Sequence, residues 1–120
     1  MIRIQYEAVL RSMAKDMIAL RVFMDEDEID FKRKIDATNL DRDKIAENIF
    51  TLKLELRKLK PKDRNVLKEH LAYNLKIQAK LKRQIKDMLQ FLHRLENAHK
   101  NSILALQNQL KAVSTVQFTP

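Results

Sequence analysis

Glu96 and His99 stand three residues apart, which on a helix places a carboxylate and an imidazole on one face. Di-iron bundles hold metal with Glu-x-x-His pairs of this kind, but they need a second copy of the pair and two more carboxylates. The sequence holds one copy, so the pair reads as a histidine on an apolar seam beside a solvent-facing acid. His93 precedes Glu96 by three residues, so no His-Glu-x-x-His zinc motif exists, and His70 has no evident partner. Asp25, Asp27 and Glu28 resemble the opening of a calcium loop. Such a loop needs a glycine at its sharp turn and a distal glutamate. Glycine is absent from the chain and Ile29 stands where the third ligand would be, so the acids read as a solvated face. Ser12, Ser102 and Ser114 have no base and orienting group arranged around them. With no cysteine, a thiol nucleophile and a disulfide framework are excluded. The expectation is a protein that is not an enzyme, with no catalytic residue, metal site or cofactor.

The basic side chains are the stronger candidates. Lys76, Lys80 and Arg83 follow each other at four and three residues and share one helix face, with Lys82 and Lys86 as a second row. Residues 53–86 hold 12 Lys/Arg against 3 Asp/Glu, whereas residues 25–43 hold 4 against 8. The net charge of +8 is therefore concentrated, and the chain is an electric dipole along its sequence. Rows of basic residues on a helix neutralise phosphates without reading sequence. Tyr73 is the only aromatic among residues 53–86, so there is no stacking platform, and no base-reading motif is present. A solvated or partner-facing surface is the preferred reading of Lys76, Lys80, Lys82, Arg83 and Lys86. Nucleic-acid binding through residues 53–86 is the alternative.

The elements that must position these groups are legible because glycine is absent and Pro61 is the only interior proline. Without glycine, tight positive-φ turns, hairpin loops and phosphate-cradling loops are hard to build. The apolar residues are mainly Leu, Ile, Met and Ala, and they recur at alternating steps of four and three on both sides of Pro61. Tyr6, Leu10, Met13, Met17, Leu20 and Met24 form one such seam; Ile45, Ile49, Leu52, Leu56 and Leu59 a second; Leu81, Ile85, Met88, Leu92, Leu95 and His99 a third, with Leu106 and Val113 beyond. Phe50, Leu54, Leu71, Leu75, Leu89, Ile103 and Leu110 are expected to thicken these stripes. Asn74, Gln78, His99 and Ser102 are polar residues in phase with them.

The expected fold is all-α, a long antiparallel helical hairpin or coiled coil reversing at Pro61. A helix before Pro61 must end near Lys60, and Asp63 suits the cap of the next. Asp25–Glu28 holds nothing that breaks a helix. Asp36-Ala37-Thr38-Asn39 is the place for an interruption, because Thr38 and Asn39 are good caps; a three-helix bundle with this second break is the competing architecture. About Pro61, residue i would face roughly residue 123 − i, laying acidic 25–43 beside basic 80–98. Residues 1–113 read as one helical domain and 114–120 as a flexible tail. The opening residues Met1 to Leu10 lack a signal-peptide core, and no apolar run is long enough to span a bilayer, so cytoplasmic residence is expected.

In length, helicity and absence of motifs the chain resembles the small helical chaperones and coiled-coil stalk proteins of bacterial export systems, although many such chaperones are acidic and this chain is basic. The function expected is non-enzymatic protein–protein interaction, as adaptor, chaperone or coiled-coil assembly component. The partner would be a helical protein or a second copy, giving an oligomer or hetero-complex. Tyr6, Leu10, Met13, Met17, Leu20 and Met24 would bind it as an exposed apolar seam, since methionine-rich stripes adapt to varied helices. A third reading is peripheral membrane attachment through Ile2 to Met24, with Arg3, Arg11, Lys15 and Arg21 toward the lipid.

Overall fold

The computed structural model of the chain describes residues 2–114. It is the expected helical hairpin: α1 spans Ile2–Lys58, a short 3-10 turn Pro61–Asp63 follows, and α2 spans Asn65–Ser114. Among the described residues there is no strand. Of the expected tail, Ser114 is the last residue of α2, and residues 115–120 lie outside the described ones.

The reversal follows from Pro61 and its neighbours. Lys60 is extended, with φ −67° and ψ 150°, as the proline ring requires of the residue before it. Pro61 then starts the turn, where its missing N–H costs nothing. The Arg64 side chain donates from Nε to the carbonyl of Leu59 at 2.9 Å, satisfying an acceptor left open at the end of α1. The backbone N–H of Lys68 donates to the Arg64 carbonyl, so the first turn of α2 is closed on Arg64. The cap expected at Asp63 is therefore displaced by one residue, and Asp63 stays within the 3-10 turn, its N–H bonded to the Lys60 carbonyl.

The second break expected near Ala37–Asn39 does not occur, and the three-helix alternative falls with it: α1 runs unbroken through these residues. Thr38 does not cap. Its Oγ1 donates to the Lys34 carbonyl one turn back, at 2.9 Å, and lies 3.7 Å from Met88 Sδ. A threonine bonded this way is accommodated inside a helix. With no Gly or Pro between residues 2 and 58, continuing costs only small propensity terms.

The chain divides into two compact units: a terminal unit of residues 1–31 with 92–120, and a turn unit of residues 32–91. Each buries a narrow seam. In the turn unit Ile35, Ile49 and Ile85 are buried; in the terminal unit Met24 and Leu92 are. Around them the half-buried positions step by three and four in both helices. Ile45, Leu52 and Leu56 of α1 and Leu71, Leu81 and Met88 of α2 are among them, as expected. Phe50, Leu54, Leu75 and Leu89 are exposed, so the stripes are narrower than the sequence suggested. Two helices have one line of mutual contact, and residues a quarter-turn away find no third helix to cover them.

Pairing is antiparallel in each unit, but later in α2 than symmetry about Pro61 predicts. Thr38 meets Met88 rather than Ile85, and Glu28 meets His99 rather than Leu95. Helical side chains lean toward their own N-terminus. In an antiparallel pair the two leans run in opposite directions. The tips of α1 residues are thus displaced away from the turn and those of α2 toward it, so touching residues lie further along α2.

Candidate interaction site

The terminal unit places both of its seams under one constraint. In α1 the seam's half-buried and buried positions are Tyr6, Leu10, Met13, Met17, Leu20, Met24, Glu28 and Phe31, with half-buried Ala14 beside them. The steps alternate four and three until Leu20, Met24 and Glu28, where two fours follow each other. In α2 the same doubling falls at Leu95, His99 and Ile103. A doubled four inserts an eleven-residue stretch into a seven-residue pattern and locally unwinds the supercoil. The two irregularities meet, because His99 Nδ1 donates to Glu28 Oε1 at 2.9 Å. His99 Nε2 lies 3.9 Å from Asp27 Oδ2.

This polar pair opens the seam. A cleft of about 500 Å³ surrounds it, lined among others by Arg21, Met24, Glu28, Glu96, His99 and Lys100. The sequence reading of His99 as a seam residue holds, but the acid beside it in space is Glu28 from the other helix. Among the described residues no group of three His, Cys, Asp or Glu side chains is arranged to hold a metal ion. The surrounding charges are of both signs and set no single ligand charge.

The methionine-rich seam faces α2, which corrects its expected exposure. Tyr6, Leu10, Met13, Met17 and Leu20 are half-buried and Met24 is buried. Yet α2 covers them incompletely. An apolar groove of about 490 Å³ runs past Leu10, Ala14, Gln107 and Leu110. A second cleft of about 220 Å³ lies at Met13, Met17, Leu106 and Gln109. No described seam residue before Met24 in α1, or after Leu92 in α2, is fully buried.

The basic candidates are exposed on α2 of the turn unit. Lys76, Lys80, Lys82, Arg83 and Lys86 all face solvent, and none forms an ion pair with another described residue. The charge contact expected from laying acidic 25–43 beside basic 80–98 does not engage these side chains. Of the polar seam residues, Asn74 donates to the His70 carbonyl of its own helix at 2.8 Å, Gln78 is half-buried, and Ser102 is exposed rather than on the seam.

Sequence reasoning missed Glu28, Phe31, Ile35, Thr38 and Arg42, which carry the seam between its two apolar stretches in α1. The available signal was the step of four from Met24 to Glu28, after which Phe31, Ile35 and Thr38 restore the alternation. No helix among the described residues is long and apolar enough to cross a membrane. Comparison with known protein families, curated proteins and solved structures finds no match for the chain.

Proposed function

We propose that the protein is a non-enzymatic helical interaction protein whose terminal unit receives a helix of another protein along its seam. The observation that carries this reading is the incomplete closure of that seam: Leu10, Met13, Met17, Leu106 and Leu110 touch apolar clefts that open to solvent. A third helix laid there would bury the apolar area that two helices leave wet, at about 25 cal/mol for each Å² removed from water. Met13 and Met17 suit such a surface because the unbranched thioether repacks against different shapes.

The test is photo-crosslinking in the native cells with a photoreactive residue at Gln107 or Gln109, both exposed beside the clefts. A discrete adduct with another polypeptide is expected from these positions and not from exposed Glu69 of the turn unit. Absence of an adduct at both cleft positions, or equal labelling from Glu69, would defeat the reading.

A second reading is favoured by basic side chains that form no ion pair with another described residue. Lys76, Lys80, Lys82, Arg83 and Lys86 are exposed and unneutralised by other described residues, so they are available to phosphates of a nucleic acid.

A further inference from the structure

One flank of the turn unit collects its cations. Along each helix the seam residues come in pairs three apart, such as Ile49 with Leu52 and Gln78 with Leu81. The residue after each pair stands just outside the seam. In an antiparallel hairpin these residues fall on the same flank of both helices, because the helices turn with one hand but run in opposite directions. They are Ala46 and Lys53 in α1, and Lys68, Leu75, Lys82 and Leu89 in α2. Phe50, Arg57, Ala72, Ala79 and Lys86, three or four residues from them on the side away from the seam, extend that flank. Thr38 lies opposite Met88, and counting from that pair toward the turn brings Phe50 level with Leu75 and Lys76. All the residues of this flank are exposed, Phe50 and Leu75 by 64% and 42%. Lys53, Arg57, Lys68, Lys82 and Lys86 form no ion pair with another described residue, and no acid holds a position of this flank between residues 44 and 91. On the other flank Glu55 and Asp87 stand among Lys44, Lys58 and Lys80.

We propose that this flank of the turn unit lies against an anionic lipid surface, its cations at the headgroups and Phe50 and Leu75 entering the interface between them. Binding of this kind adds buried apolar area to the attraction of basic side chains for anionic lipid. From Lys68 to Leu89 the flank is about 32 Å long, so its cations meet several headgroups at once. The phosphates of a duplex would attract the same cations. A duplex backbone offers no apolar surface to Phe50 and Leu75, whereas acyl chains do, so lipid fits the whole flank better. Lys82 and Lys86 are shared with the nucleic-acid reading above. Lys53, Arg57, Lys68 and Phe50 are not, while Lys76, Lys80 and Arg83 stand off this flank.

Co-sedimentation with vesicles of phosphatidylcholine, alone or mixed with phosphatidylserine, reads this directly. The chain is expected to bind the mixed vesicles and not the neutral ones, and to be released by salt. Lys53→Gln with Lys82→Gln is expected to weaken binding about 25-fold, about fivefold for each cation removed from an anionic leaflet. Phe50→Ser is expected to weaken it about tenfold. Both variants keep the helical circular dichroism, since the three side chains are exposed. The chain has no tryptophan, so an introduced one reports alone. The emission of Phe50→Trp should shift to the blue on the mixed vesicles, and that of Lys44→Trp, on the other flank, should not. Failure to bind the mixed vesicles overturns the proposal, as does equal binding to the neutral ones. So does binding that survives Lys53→Gln with Lys82→Gln, or an unshifted Phe50→Trp on bound vesicles. A chain that binds a duplex and no vesicle overturns it as well. Gln107 and Gln109 belong to the terminal unit, so their crosslinking outcome is read separately from this one.

Discussion

His99 and Glu28 show how a single polar pair shapes the seam around it. Their side chains keep only 15% and 19% of their exposure, so each depends on the other for its hydrogen bond. His99→Leu leaves the Glu28 carboxylate largely covered without its donor, at a cost of about 1–3 kcal/mol. His99→Leu combined with Glu28→Leu removes both polar groups, and stability should return to the wild-type level or rise above it. Urea denaturation of the two variants checks this. A double variant less stable than His99→Leu alone would mean that the pair contributes more than its desolvation removes. The pair was half legible in the sequence. His99 fell in phase with Leu92 and Leu95, but Glu28 sat in an acidic run that reads as solvated surface, and only the fold shows which acid turns inward.

At the scale of the helix, the steps of four and three made both long elements legible, and Pro61 with no glycine located the reversal. What stayed hidden was the middle of α1. Glu28, Thr38 and Arg42 occupy seam positions with polar side chains, so the apolar pattern lapses and Ile35 looks isolated, although it is among the most buried residues. Thr38 and Asn39 carried a local capping signal that the unbroken register of α1 overrides. The turn held a further element that spacing could not reveal, the bond from Arg64 to the Leu59 carbonyl. Arg64→Ala removes it and should lower stability by about 0.5–1.5 kcal/mol, with helix content unchanged. A thermal melt monitored at the helical band measures this; no shift in midpoint would mean that water satisfies the Leu59 carbonyl equally well.

For the molecule as a whole, the two proposed readings, a helix at the terminal unit's seam and a nucleic acid at the basic face of α2, are separated by salt. If Lys76, Lys80, Arg83 and their neighbours meet a duplex, log K should fall with log salt at a slope of about −0.9 for each phosphate contacted. Replacing Lys76, Lys80 and Arg83 by Glu should then abolish binding without unfolding the protein, because exposed charges contribute little to stability. Filter binding at two salt concentrations reads this, and a flat response removes the nucleic-acid reading.

The central claim is that the seam of the terminal unit is left open for another helix. Native-state amide exchange, followed peptide by peptide, tests it most directly, since exchange reports local opening and weakly packed helix opens first. Amides around Ile35, Ile49 and Ile85 should exchange slowly, and those of residues 6–20 and 103–113 markedly faster, despite continuous helix through both regions. Equal protection along α1 and α2 would contradict the account, because it would show that two helices alone already satisfy the seam.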